Sequence, residues 1–216
     1  AACGGTAAGS AGTGACGQSN PVSVVVFPTA PAAPLAPGCG AITITPPPSV
    51  PGFNIQYSFD DGTTWDKPIP TADNCDGYKI RARYVTAADC GSTIAGTAGS
   101  GACGASPATT RKVDNTKPEV KCPIVDPICV ISTNTYTIPP LIASDNCTAP
   151  DKLTITYTIG GATNTRPPGT GLDASGIFNV GVSIITWTVV DECGNSNTCT
   201  TQVTINPKPA PTIYHN

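Results

Sequence analysis

Cysteine is the residue type in this chain that could do the most chemistry, as a disulfide partner, a metal ligand or a nucleophile. Whether the cysteines are paired decides which of these roles they can take. Eleven cysteines occur in 216 residues, a density typical of disulfide-stabilised proteins from oxidising compartments. Zinc sites usually contain paired C-x-x-C knuckles, and the sequence has none. The single histidine, His215, lies in a proline-rich tail without neighbouring ligand residues. We therefore predict disulfides rather than a zinc-binding cluster.

Two groups of oxygen-bearing side chains suit calcium, because Ca²⁺ prefers carboxylate and amide oxygens. The first group is expected to converge at one end of the C-terminal part of the chain, and consists of Asp145, Asn146, Asp191, Glu192 and Asn195. The second, weaker group consists of Asp60, Asp61 and Asp66. Asp and Asn at strand ends are also common turn and capping residues, so both interpretations stay open.

The side chains that commonly carry out catalysis are not arranged for it. A single tail histidine leaves no Ser-His-Asp constellation, and no glycine-rich loop precedes a predicted helix. Charged residues make up 12% of the chain and the net charge is −3, whereas nucleic-acid binding requires clustered Lys and Arg. No apolar run is long enough to span a membrane. The sequence predicts a protein that is not an enzyme, binds no nucleic acid and does not itself cross a membrane.

An internal repeat organises the chain. The segment CGGTAAGSAGTGACGQS begins at Cys3, and CGSTIAGTAGSGACGAS begins at Cys90, with 12 of 17 positions identical. Both copies keep their cysteines in register, Cys3 with Cys90 and Cys16 with Cys103. Low-complexity Gly/Ala composition does not explain that register, so we interpret the match as a true repeat.

The repeat predicts a window onto a longer string of modules. Residues 1–31 are expected to be the C-terminal part of a preceding module, and residues 32–38 a Pro/Ala linker. A complete module is expected at 39–118, a different one at 119–206, and a further linker at 207–216. The absence of methionine indicates a processed or excerpted segment.

Strand patterns dominate both of these modules. Apolar and polar residues alternate at 55–59, 78–84 and 153–159, which predicts strands with one face on a core. Further strands are predicted at 22–27, 41–45, 135–142, 183–190 and 198–205, and no stretch supports a capped amphipathic helix. The predicted fold class is all-β: tandem small Greek-key, immunoglobulin-like β-sandwich modules stapled by disulfides. The expected core residues are Tyr57, Trp65, Phe178 and Trp187.

The module at 119–206 resembles the HYR (hyalin repeat) family of immunoglobulin-like extracellular modules. The matching residues are Pro118, Cys122-Pro123, Asp145-Asn146, Phe178, Gly181, Thr186-Trp187-Thr188, Asp191, Gly194-Asn195 and Cys199. The resemblance implies a sandwich fold, with a Cys122–Cys199 disulfide joining the first and last strands. It implies no activity. Asp191 and Asn195 are expected to close a hairpin through backbone N–H groups, with Gly194 at positive φ.

A second resemblance lies in the module at 39–118. YSFDDGTTWD, from Tyr57 to Asp66, is similar to a hairpin that recurs in gliding-motility adhesins and other giant surface proteins of the Bacteroidota. Those proteins are exported by the type IX secretion system. This chain has Asp61 where that hairpin commonly has Gly. The resemblance implies a bacterial cell-surface location.

The remaining disulfides are predicted from position. Cys3–Cys16 and Cys90–Cys103 each bracket the repeated loop, and Cys39–Cys75 would close the module at 39–118. The second and sixth strands of a seven-stranded sandwich run the same way, which favours Cys147–Cys193. Cys129 is left over: it could be free, compete with Cys122, or pair outside this chain.

These observations predict a structural or adhesive segment of a long extracellular repeat protein, such as a cell-surface adhesin or filament stalk. The expected partners are neighbouring modules of the same chain, further copies of it in a filament, or surface glycans. The sequence predicts no cofactor other than calcium. Two alternatives are kept: accessory glycan- or ligand-binding modules of a secreted enzyme, and a self-assembling fibre subunit.

Overall fold

The computed structural model describes residues 29–85 and 104–209, and this part of the chain is all-β. It contains thirteen strands and one short 3₁₀ helix, Pro150–Lys152, which starts at a proline suited to a first helical turn. The predicted all-β fold class is confirmed. The strand expected at 22–27 lies outside the described residues.

Four strands form one sheet in residues 38–113. They are β1 (Gly38–Cys39), β2 (Asn54–Ser58), β3 (Asn74–Val85) and β4 (Thr109–Val113), in the order β1-β4-β3-β2. β1 pairs with β4 in parallel, and the other pairs are antiparallel. The alternation predicted at 55–59 and 78–84 lies on β2 and β3.

The core of this sheet is small and is completed by an irregular segment. Ile42, Phe59, Ile80 and Val113 are buried together, and half-buried Leu35, Ile44, Tyr57 and Tyr78 pack against them. The strand predicted at 41–45 is wrong, because these residues are irregular in the structure. The apolar side chains of this segment still pack on the sheet. The alternation of apolar and polar residues therefore indicates which side chains are buried, although the segment pairs with no strand. Leu35, placed in a linker by sequence, belongs to this core.

Trp65 has a different environment from the one expected. It is half-buried, and the guanidinium carbon of Arg83 lies 4.0 Å from its ring centroid, a cation–π distance. Its Nε1 donates to the Gly62 carbonyl at 3.0 Å. Trp65 therefore braces the hairpin around residues 58–66 instead of lying in the buried cluster.

Nine strands form the second unit, which occupies residues 119–206. They are β5 (Glu119–Lys121), β6 (Ile128–Cys129), β7 (Thr135–Tyr136), β8 (Ile142–Ser144), β9 (Thr154–Gly161), β10 (Gly169–Thr170), β11 (Gly176–Ile177), β12 (Gly181–Val190) and β13 (Ser196–Asn206). The main sheet has the order β10-β9-β12-β13-β6, and two-stranded sheets β11-β7 and β5-β8 complete the unit. We call this unit the C-terminal sandwich, and residues 38–113 the central sheet unit.

The core of the C-terminal sandwich lies between the main sheet and the short strands. Trp187 and Phe178 are both fully buried, in agreement with the prediction. Tyr136 of β7 and Tyr157 of β9 belong to the same cluster. Trp187 contacts Tyr157 at 5.0 Å between ring centroids, and its Nε1 donates to Thr201 Oγ1 at 3.2 Å.

The strand predicted at 135–142 is divided in the structure. β7 ends at Tyr136 and β8 begins at Ile142. Pro139 and Pro140 lie between them, and proline has no N–H to donate to a ladder. The apolar residues Ile138 and Leu141 are nevertheless buried, which is why the pattern looked continuous.

Asp61 gives a prediction for the pH dependence of stability. Arg81 Nε donates to Asp61 Oδ1 at 2.7 Å, which lowers the pKa of Asp61, with smaller contributions from Arg81 and Lys79 charge. Because the pKa of Asp61 is lower in the folded chain than in the unfolded chain, ionised Asp61 stabilises the fold at pH values above the unfolded pKa of about 3.9. This stabilisation is lost as the pH falls through the folded-state pKa. We expect Asp61→Asn to lower the urea midpoint at neutral pH and to match the wild type in strong acid.

The control for this measurement is Asp76→Asn, which alters an exposed carboxylate with no ion pair among the described residues. Since Asp61 is 41% exposed, the effect is expected to be small. A difference between Asp61→Asn and wild type that persists unchanged into strong acid would contradict the assignment.

Candidate functional site at the module junction

Two disulfides join the central sheet unit to the C-terminal sandwich. Cys39 of β1 is bonded to Cys193 in the turn between β12 and β13, with their Cα atoms 5.0 Å apart. Cys75 of β3 is bonded to Cys147, with Cα atoms 4.8 Å apart. The predicted pairs Cys39–Cys75 and Cys147–Cys193 are therefore wrong. Each prediction assumed that a module closes on itself, whereas these four thiols lie at facing ends of the two units.

The third disulfide, Cys122–Cys199, lies within the C-terminal sandwich, with Cα atoms 5.9 Å apart. It is the pair that the HYR resemblance implied. Cys129 is exposed and free in the structure. Cys3, Cys16, Cys90 and Cys103 lie outside the described residues, so their two pairings stay predictions.

Asp191 closes the turn after β12 as predicted, whereas the side chain of Asn195 donates hydrogen bonds and, in the described part of the chain, accepts none from a backbone N–H. Asp191 Oδ1 accepts hydrogen bonds from the backbone N–H groups of Cys193 and Asn195, each at 2.8 Å. Gly194 has φ = 89°, a conformation that favours glycine. Asn195 Nδ2 donates to Asp191 Oδ2 at 2.8 Å. This turn holds Cys193 toward the central sheet unit.

Polar contacts surround the two bridging disulfides. Asn195 Nδ2 also donates to the Asp114 carbonyl at 3.0 Å, and Lys112 Nζ lies 3.7 Å from Glu192 Oε2. Asn197 Nδ2 donates to the Pro118 carbonyl at 2.9 Å. The segment between β4 and β5 is thus held by the β12–β13 hairpin along much of its length.

The same segment is anchored from the other side by Asp73. Asp73 Oδ1 accepts from the backbone N–H of Asn115 at 2.8 Å, and its Oδ2 accepts from Thr116 Oγ1 at 2.6 Å. These hydrogen bonds, that from Thr116 first, lower the pKa of Asp73. Covalent bonds and hydrogen bonds together fix the segment at 114–118 between the two units.

Three carboxylates meet at the centre of this junction. Asp114 from the end of β4, Asp145 after β8 and Asp191 after β12 each offer one oxygen, and these oxygens all lie within 4.8 Å of one another. Asp114 and Asp191 are buried and Asp145 is half-buried. We call this group the junction triad. Burial, followed by the charges of Asp145, Asp191 and Asp73, raises the pKa of Asp114.

Only part of the predicted calcium group belongs to the triad. Asp145 and Asp191 do converge, as expected. Asn146 is exposed and its amide lies on Cys147 Sγ, Glu192 forms the ion pair with Lys112, and Asn195 presents its amide N–H to Asp191. The contacts of these three side chains therefore do not direct an oxygen toward the triad.

Sequence reasoning missed Asp114, because it was assigned to the end of the other module. One signal was present: Asp114-Asn115 repeats the Asp-Asn dipeptide of Asp145-Asn146. In the fold, Asp114 and Asp145 lie together in the junction triad. The dipeptide alone could not predict this, because its two copies come together only through the arrangement of the strands.

The second predicted group does not form a site. Asp60 binds Ser58 and Thr64, Asp61 binds Arg81, and Asp66 accepts from Gln56 Nε2 at 2.6 Å. Each carboxylate therefore serves a separate local contact in the hairpin. Within residues 29–85 and 104–209, the junction triad is the only group of three potential metal-ligating side chains found.

Comparisons with known proteins identify no family for this chain: neither the family models nor the curated proteins include a match. Solved structures with similar arrangements include the fibronectin(III)-like modules of Clostridium thermocellum CbhA, at 16% identity and TM-score 0.37, covering 87% of this chain and 99% of that one. Human mucin-like protocadherin EC1-2 matches at 12% identity and TM-score 0.38, covering 83% and 98%. Drosophila N-cadherin EC1-4 matches at 11% identity and TM-score 0.36, covering 83% and 48%.

TM-scores this low do not establish a common topology, so the fold rests on the strand pairing of this chain. A membrane-crossing helix is likewise not found in the described residues, where no helix has the necessary length and apolar character.

Proposed function

We propose that the chain is a non-catalytic structural or adhesive segment of an extracellular repeat protein. The observation that carries the proposal is the pair of disulfides that joins the two units, Cys39–Cys193 and Cys75–Cys147. Two covalent bridges at one junction restrict bending, and disulfides persist in oxidising, extracellular environments. A chain of such fixed units would hold an adhesive surface at a set distance from the cell.

The finer identity proposed is a cell-surface adhesin of the HYR-containing, gliding-motility type, exported by the type IX system. The supporting observations are the HYR-like motifs and the Tyr57–Asp66 hairpin. Neighbouring modules of the same chain, further copies or surface glycans are the proposed partners. The domain limits at 39–118 and 119–206 are part of this proposal.

An accessory glycan-binding role has less support. Such modules commonly offer exposed aromatic side chains, on which sugars stack. Trp187 is fully buried, and Trp65 is half-buried against Arg83. Neither tryptophan therefore offers a free aromatic platform.

The proposal is tested by measuring the distance between the two units in the oxidised chain. Fluorophores would be attached through non-canonical amino acids at Thr63 and Thr200, both exposed, so that no thiol is disturbed. We expect one narrow distance distribution by single-molecule energy transfer. A broad distribution in the oxidised protein would mean a hinged pair of modules and would contradict a stiff stalk.

A further inference from the structure

Each carboxylate of the junction triad is held by hydrogen bonds from backbone N–H groups of its own turn. Asp145 Oδ2 accepts from the backbone N–H groups of Cys147 and Thr148, at 3.0 and 2.8 Å. Asp191 Oδ1 accepts from Cys193 and Asn195 N–H groups. Asp114 accepts through Oδ1 from the Thr116 N–H at 3.1 Å. These bonds fix the carboxylates. The second oxygen of Asp191, Oδ2, accepts from Asn195 Nδ2, whereas Asp114 and Asp145 each keep one oxygen that no hydrogen bond uses.

These two carboxylate oxygens are buried without any hydrogen-bond partner. They are Asp114 Oδ2 and Asp145 Oδ1. Asp114 is only 3% exposed, so water cannot solvate its carboxylate freely. A buried, unsatisfied carboxylate oxygen is costly, and native structures seldom keep two in one place without a ligand.

Among the residues that the structure describes, no Lys or Arg forms an ion pair with the triad. The ion pairs in the described residues involve Asp61, Asp151 and Glu192, and none includes Asp114, Asp145 or Asp191. Three carboxylates within 4.8 Å repel one another. A cation from solution would both compensate this charge and satisfy the two open oxygens.

The ligand chemistry identifies the class of cation. The donors are hard carboxylate oxygens, and the nearby sulfurs of Cys147 and Cys193 are committed to disulfides. Calcium accepts six to eight oxygen ligands in flexible geometry, several of them carboxylates. Magnesium requires near-ideal octahedral geometry, keeps several waters and is usually bound through one or two carboxylates. Three carboxylates from different segments of the chain therefore favour calcium.

We propose that Asp114, Asp145 and Asp191 bind one Ca²⁺ ion at the module junction. Asp114 directly follows β4, the last strand of the central sheet unit, whereas Asp145 and Asp191 come from the C-terminal sandwich. The ion therefore links the two units independently of the disulfides. This inference does not rest on an adhesive role, and it holds for a stalk or an accessory module alike.

The test is calorimetric titration of CaCl₂ into the intact, oxidised chain after treatment with a chelator. Extracellular modules commonly bind calcium with a Kd of roughly 0.1–1 mM, which sets the range to be titrated. We expect binding of one ion, a higher unfolding temperature in calcium than in chelator, and a smaller shift with MgCl₂ at equal concentration. Absence of both binding heat and thermal shift in the wild type would overturn the proposal.

Asp114→Asn is the informative variant, because it removes a ligand charge while keeping the shape of the side chain. We expect at least about tenfold weaker calcium binding. Asp151→Asn removes an exposed carboxylate of the same sandwich and is expected to bind like the wild type. Circular dichroism and disulfide mapping verify that each variant is folded. Wild-type affinity in folded Asp114→Asn would also overturn the assignment.

A second variant, Asp145→Asn, makes the result independent of any one side chain. It keeps an oxygen for the Cys147 and Thr148 N–H groups and is likewise expected to weaken binding by at least about tenfold. Weakening in both triad variants and not in Asp151→Asn supports the site. Equal weakening in all three would indicate a general charge effect and would contradict it.

Discussion

Removal of the two junction disulfides by Cys→Ser replacement is expected to broaden the distance between the two units. The variant would replace Cys39, Cys75, Cys147 and Cys193 together, which leaves no unpaired thiol from either bridge. The hydrogen bonds around Asp73 and Asn195 would remain. Exposed or half-buried contacts of this kind contribute about 1 kcal/mol each, which is too little to exclude bending. The measurement is the energy-transfer distribution between labels at Thr63 and Thr200.

The matched control is Cys122→Ser with Cys199→Ser. This bridge closes 77 residues, close to the 72 of Cys75–Cys147, so loop-closure entropy is nearly the same for both. Both variants should lose stability, typically about 2–4 kcal/mol per bridge. Only the junction variant should broaden the distribution. Equal broadening in the two variants, or none in either, would show that the junction bridges do not control the orientation.

Trp187→Ala is expected to produce the largest loss of stability from any single core replacement. Trp187 is fully buried between β9 and β13, against Tyr157, and its Nε1 donates to Thr201. Large-to-small replacement at such a position costs about 3–5 kcal/mol, because the cavity is only partly refilled. The measurement is urea unfolding of the oxidised chain, followed by far-ultraviolet circular dichroism.

Two further variants separate packing from hydrogen bonding. Val182→Ala lies on the same strand but 47% exposed, and should cost far less. Trp187→Phe keeps much of the ring contact and loses the N–H donor, so an intermediate loss is expected. If Trp187→Ala changed stability no more than Val182→Ala does, the buried position of Trp187 would be wrong.

Long alternating segments were the predictable part of this fold. The patterns at 153–159, 183–190 and 198–205 correspond to β9, β12 and β13, since these strands have one face on a core and another in water. Short or proline-interrupted segments were not predictable. Residues 41–45 bury apolar side chains without joining a ladder, and Pro139-Pro140 divides an apolar run.

Contacts within a single turn were also predictable from the sequence, whereas contacts between the two units were not. The hairpin closed by Asp191 follows from residues within one turn. The junction disulfides and Asp114 depend on how two units face each other across more than 70 residues of sequence. No pattern within either module specifies that orientation. Cysteine spacing alone therefore gave two pairs that the structure replaces.

The Cys39–Cys193 bond determines where tension would travel through this molecule. The two cysteines are 154 positions apart in sequence. If the chain between them were fully extended, it would reach roughly 500 Å, at about 3.3–3.6 Å per residue. A pull on residues 38 and 207 would bypass that length, crossing the bond and continuing along β13. β13 is held by β12 and, in parallel, by β6. The chain between Cys39 and Cys193 therefore cannot be extended by the pulling force until the disulfide is reduced.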